Sequence, residues 1–73
     1  MSTPESRAKA WIAEQHPDGF RIGYRPWSDG LIEAEVTAKG TDATHHYLLD
    51  PVTGEVWRMK YDLSGKGKLL RAA

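Results

Sequence analysis

Apolar positions change their spacing once along the chain, and the change divides it into two parts. Between Arg7 and His16, the residues Ala8, Trp11, Ile12 and Gln15 recur at i, i+3, i+4 and i+7, with no glycine among them. That is one stripe of a 3.6-residue period and predicts a helix. Thr3 suits the N-cap and Pro4 the first helical position, where a missing N–H costs nothing. Ser2 and Glu5 also have capping-box spacing, so the start is open by one residue. At the other end, Pro17 disfavours helical backbone at His16, and Asp18-Gly19 suits a turn. Trp11 and Ile12 are the only large apolar members of the stripe. A helix this short does not persist alone in water, so it must dock. Trp11 is expected to anchor it.

From Phe20 the period becomes two. Phe20, Ile22 and Tyr24 share one face and Arg21, Gly23 and Arg25 the other, until Pro26, which cannot donate to a ladder, ends the strand or places it at an edge. Ser28-Asp29-Gly30 reads as a turn. Leu31 to Lys39 alternates most clearly, with Ile32, Ala34, Val36 and Ala38 against Glu33, Glu35 and Thr37, one buried face and one wet face. After a turn at Lys39-Gly40-Thr41-Asp42, a third strand runs from Ala43 to Asp50, with Tyr47 and Leu49 opposed to His46 and Leu48. Asp50-Pro51-Val52-Thr53-Gly54 has the chemistry of a compact hairpin loop: Pro51 presets φ, Asp50 can bond the loop backbone, and Gly54 can take positive φ. The fourth strand, Glu55 to Tyr61, sets Trp57, Met59 and Tyr61 against Val56, Arg58 and Lys60. Beyond Asp62 the chain is loop-like, and Leu69-Leu70 suits either a brief final strand or one helical turn.

The order α-β-β-β-β with short turns predicts an α+β domain, its N-terminal helix packed on one face of a four-stranded antiparallel β-meander. The whole chain, 1–73, is expected to form a single domain, with 62–73 a basic, flexible tail. The uncovered face is expected to carry Arg21, Arg25, Glu33, Glu35 and Arg58.

Composition narrows the class. Seventy-three residues without cysteine exclude a multidomain enzyme, a disulfide scaffold and a cysteine-ligated zinc module. A chain of this size buries only about 60% of its unfolded surface. Its seven aromatic residues must therefore supply much of the core, which leaves little room for a deep catalytic pocket. No apolar run approaches a membrane span, and Met1 to Arg7 lacks the features of a signal peptide, so the expectation is a cytoplasmic protein without a membrane role. The formal charge of zero hides an asymmetry: residues 1–57 hold five basic and nine acidic groups, whereas Arg58, Lys60, Lys66, Lys68 and Arg71 face only Asp62 in the remainder. A basic end of that kind can meet phosphates, an anionic surface or the acidic body of the same chain.

Candidate chemistry is sparse. His45 and His46 are neighbours in a strand, point to opposite faces and cannot chelate one metal, and no motif brings His16 to either. No ligand spacing matches a zinc site, so neither metal nor cofactor is expected. There is no nucleophile motif. Glu33 and Glu35 share a strand face roughly 7 Å apart, a pair that does acid–base work in a cleft but on an open sheet is ordinarily solvated charge paired with arginine. Gly65-Lys66-Gly67-Lys68 lacks the glycine spacing and the hydroxyl residue of a phosphate-binding loop. Trp27, out of phase with Phe20, Ile22 and Tyr24, is the best aromatic candidate for an exposed contact, with Arg25 and Arg58 as neighbours. The alternative is that a bulge near Pro26 turns it into the core.

Two resemblances bear on function. Ala8-x-x-Trp11-Ile12 with Pro17, followed by strands and then Tyr47-Leu-Leu-Asp-Pro-Val-Thr-Gly-Glu-Val56, resembles PepSY-like domains over residues 8–59. Those domains join an N-terminal helix to an antiparallel sheet with an Asp-x-x-Thr-Gly-x-Val hairpin. Cystatin-like immunity proteins of bacterial toxin systems share the outline. The resemblance implies a non-enzymatic module that binds or restrains a protein partner, often a peptidase. PepSY domains usually lie outside the cytoplasm and attached to larger proteins, two departures from the pattern seen here. Ser64 to Ala73 is similar to the lysine-rich approach to the last helix of double-stranded-RNA-binding domains, although a fourth strand intervenes.

The expected function is therefore a small binding module, without catalysis, that engages a protein partner or a second copy of itself. The surface would be Trp27, Arg21, Arg25, Arg58, Glu33 and Glu35. The alternative is a nucleic-acid contact through Lys60, Lys66, Lys68 and Arg71.

Overall fold

The structure, a computed structural model, describes residues 2–40, 43–61 and 67–73. One helix, α1 (Pro4–Glu14), precedes five strands, β1 (Phe20–Pro26), β2 (Ile32–Ala38), β3 (Thr44–Leu49), β4 (Val56–Tyr61) and β5 (Gly67–Arg71). The strands pair antiparallel in chain order, as short turns between alternating segments require. The α+β class and the antiparallel sheet are as the pattern predicts.

Thr3 caps α1. Its hydroxyl accepts from the Ser6 N–H, and the Ser6 hydroxyl accepts from the Thr3 N–H. The capping box thus joins Thr3 to Ser6, not Ser2 to Glu5. Ala8 and Ile12 are buried, Trp11 is half-buried and Gln15 is exposed. The stripe faces Ala34, Val36, Tyr47, Leu49 and Val56, which form the core with Ala8 and Ile12. Ile12, rather than Trp11, lies deepest.

The β3–β4 loop has the predicted chemistry. The Asp50 carboxylate accepts from the N–H groups of Val52 and Thr53, and the Gly54 N–H donates to the Asp50 carbonyl. Gly54 adopts a φ of +82° and lies against the first residue of the helix: a Cβ there would stand 3.3 Å from the Pro4 carbonyl oxygen. Between β1 and β2, the Trp27 N–H donates to the Leu31 carbonyl across a single 3-10 turn, Ser28–Gly30.

Two expectations are corrected. The sheet has five strands, because part of the segment read as a basic tail pairs with β4 as β5. Beyond it, Val56 exchanges backbone hydrogen bonds with Ala72 and Ala73. All five β5 residues are exposed, so backbone pairing rather than an apolar face defines this strand. Arg58 does not lie on the uncovered face. β3 and β4 pair Leu49 with Val56, Leu48 with Trp57 and Tyr47 with Arg58. Opposed residues share a face, so Val56 and Arg58 join the helix side while Trp57 and Met59 take the other. The turn at Thr41-Asp42 and the segment 62–66, including Lys66, lie outside the described residues.

Candidate functional site

The sheet face opposite α1 has no described element over it. Its side chains form rows that follow from the register. One row crosses all five strands as Arg25, Glu33, Leu48, Trp57 and Arg71. The next runs Gly23, Glu35, His46, Met59 and Leu69. Cations therefore stand at both edges, carboxylates on β2, and apolar side chains over β3 to β5. Leu48 is buried on this face, Trp57 and Met59 are half-buried, and Leu69 is exposed.

The face expected to be wet holds one buried charge. Glu33 is only 3% exposed, and its carboxylate accepts a charge-assisted hydrogen bond from Arg25 Nε. That bond raises the Arg25 pKa above its ordinary value. The neighbouring Glu35 stands opposite His46. Ligand atoms of Glu33, Glu35 and His46 all lie within 4.8 Å of one another, two carboxylates and an imidazole of the kind that hold zinc and similar ions. Chain spacing did not reveal this group because it is made across a strand pair; the signal was the Glu35–His46 register. Arg25 already neutralises the most buried of the three.

Of the residues predicted for partner binding, Arg21, Arg25, Glu33 and Glu35 share this face. With Gly23 and Thr37, Arg21, Arg25 and Glu35 border a shallow concavity of about 400 Å³ along β1 and β2. Trp27 is 40% exposed and lines a different groove, walled by Tyr24, Pro26, Ile32 and Pro51, at the end of β1 and β2. Arg25 borders both hollows.

Arg58 sits apart from them, below the C-terminal end of α1. Its Nη2 donates to the Tyr47 hydroxyl at 3.3 Å, and its guanidinium lies 5.5 Å from the centre of the Tyr47 ring. His16 Nε2 approaches the same hydroxyl at 2.7 Å. The His16 ring also packs against Phe20 and His45, with centroids 4.7 and 4.9 Å away. The fold therefore does bring His16 to His45, contrary to the expectation from motifs. Burial lowers the His16 pKa, and the charges of His45 and Arg58 lower it further.

The basic C-terminal set is divided. Arg71 pairs with Glu55 at 2.9 Å, donates to the Ala73 carbonyl and lies over the Trp57 ring. Lys60 and Lys68 stand directly opposite each other on β4 and β5, on the same face as Arg58. No helix among the described residues is long and apolar enough to cross a membrane. The chain matches no protein-family model, no curated protein and no solved structure.

Proposed function

We propose that this domain is a non-catalytic, cytoplasmic binding module that docks a protein partner on its uncovered sheet face. One observation carries the reading: the helix covers one side of the sheet, while the other side presents Trp57, Met59 and Leu69 beside the Arg25–Glu33 pair. An apolar centre with charge at its margins is the composition of a protein-binding surface. The resemblance to PepSY-like domains and immunity proteins supports a partner that is restrained or neutralised, such as a peptidase or a toxin. Trp27 extends the surface around the β1–β2 end through Arg25, which borders both hollows.

The nucleic-acid reading retains Lys60 and Lys68, which are adjacent and on one face, but Arg71 is engaged within the fold.

The test has two stages. Sedimentation of the purified chain separates self-association from a foreign partner. Partner capture is then compared between the native chain and Met59→Asp, which charges the centre of the face without touching the helix-side core. Loss of a purified partner, or of the dimer, in Met59→Asp with an unchanged melting temperature supports the reading. Equal binding by both proteins sinks it.

A further inference from the structure

On the helix side, Trp11 of α1, Gln15 at its C-cap, Arg58 and Lys60 of β4, Leu70 and Arg71 of β5 and the following Ala72 border a groove of about 300 Å³. Its charged walls are cationic: Arg58, Lys60 and Arg71 border it, the last already paired with Glu55, Lys68 stands opposite Lys60, and no bordering residue among those described is acidic. Among the described residues, neither Arg58 nor Lys60 forms an ion pair. Within the same set, Arg58 Nε is buried without a hydrogen-bond acceptor, and the guanidinium donates to the Tyr47 hydroxyl. Like charges opposed across a strand pair are destabilising, and a buried donor without an acceptor carries a desolvation penalty. An oxyanion in the groove offsets the first of these costs; Nε itself is enclosed and is not reached from the groove.

We propose that this groove binds the phosphoryl group of a small phosphorylated molecule. Arg58 supplies the terminal amino end of its guanidinium and Lys60 a point charge, both groups that hold phosphate. Charge selects phosphate over carboxylate. A phosphate monoester is close to a dianion at neutral pH, its second pKa being about 6. It neutralises Arg58 and Lys60 together, whereas a single carboxylate leaves one cation unbalanced. The Gln15 amide and the Trp11 ring form the rest of the wall, a polar contact and an apolar one for whatever carries the phosphate. The proposal is independent of the uncovered face, which lies across the sheet.

The experiment titrates the isotope-labelled chain with inorganic phosphate at constant ionic strength, following the Trp11 indole N–H and the backbone amides of Arg58 and Lys60. Saturable shifts confined to these residues are expected. Arg58→Gln removes a charged hydrogen-bond donor and should weaken binding about tenfold or more. Lys60→Ala changes an exposed position, keeps the fold, and should weaken binding severalfold. Three results overturn the proposal: no saturation, shifts that persist unchanged in Lys60→Ala, or equal binding of acetate. A single-stranded oligonucleotide serves as a further arm. Binding that needs several phosphates, seen as a steep salt dependence, places the ligand along a strand and overturns the small-molecule site.

Discussion

The Tyr47 hydroxyl and His16 Nε2 lie 2.7 Å apart, joining the centre of the sheet to the end of the helix. Tyr47 is fully buried, and Arg58 donates to the same oxygen. Arginine can only donate, so the hydroxyl accepts from Arg58 and directs its own proton to His16. This arrangement requires a neutral His16 with Nε2 unprotonated. A protonated ring would instead donate to the oxygen, set a second cation beside Arg58 and leave the Tyr47 proton buried without an acceptor.

A pH dependence follows with a definite sign. Burial, His45 and Arg58 lower the folded-state pKa of His16 below the ordinary value of 6.5. The unfolded chain therefore binds more protons in the window between the two values. The stabilisation is complete above about pH 6.5 and is lost as the pH falls from there towards the lowered folded value. In urea unfolding, the stability difference between the native chain and His16→Gln should be largest near neutrality and shrink on acidification. Groups common to both proteins cancel in that difference. A constant difference across the range would show that His16 does not titrate differently on folding.

The hydroxyl can be tested without altering the ring. Tyr47→Phe strips both His16 and Arg58 of their partner and should cost about 1–3 kcal/mol, the penalty for polar groups left unsatisfied. Combined with His16→Gln, the two losses should be non-additive, because both remove one shared interaction. Additive losses in the double variant would place His16 and Tyr47 in separate environments.

Docking of the helix depends on Ile12. It is fully buried, and truncation to Ala should cost about 2–5 kcal/mol, a large share of the stability of so small a domain. Trp11, half-buried and edge-on to Tyr47 at 6.4 Å, should cost less than a fully enclosed tryptophan would. Thermal melts of Ile12→Ala and Trp11→Ala decide the order. A more damaging loss at Trp11 would restore the anchor that side-chain size alone suggests.

The helix stripe, the Thr3 cap, the Asp50 turn and the alternation of β2 were legible because each is set by residues close in the chain. The faces of β4 were not. Trp57 and Met59 look like core residues and Arg58 like a surface one, but the β3–β4 register places Arg58 beside Tyr47 and leaves the larger apolar side chains uncovered. β5 was legible only as one of two options for Leu69-Leu70, strand or helical turn, because its five residues are exposed and show no apolar face. For the site, Arg21, Arg25, Glu33 and Glu35 were legible from period two. The burial of Glu33, the approach of His46 to the two carboxylates, and the groove behind Arg58 arise from pairings across strands, which spacing along one strand does not encode.

Burial of Glu33 makes its pair with Arg25 asymmetric. Arg25→Met leaves a buried carboxylate without its cation, whereas Glu33→Gln leaves an exposed guanidinium that water can solvate. Arg25→Met should therefore lower the melting temperature more than Glu33→Gln, and adding Glu33→Gln to Arg25→Met should recover part of the loss. If Glu33→Gln is the more damaging change, the carboxylate makes contacts beyond Arg25 that hold the face together.

Gly54 separates two contributions that usually act together. Gly40 and Gly54 both adopt positive φ, +79° and +82°, a conformation that costs a residue with a Cβ about 1–2 kcal/mol. Around Gly40 an added Cβ meets nothing within 4 Å, whereas at Gly54 it meets the Pro4 carbonyl oxygen at 3.3 Å. Gly40→Ala therefore measures the backbone cost alone, and Gly54→Ala adds displacement of the helix start from the hairpin loop. Gly54→Ala should be the more destabilising, and it should reduce amide-exchange protection in the first turn of α1, where Thr3 and Ser6 cap one another. Gly40→Ala should leave that protection unchanged. Equal losses, with the first turn equally protected in both, would mean that the loop and helix touch without either holding the other in place.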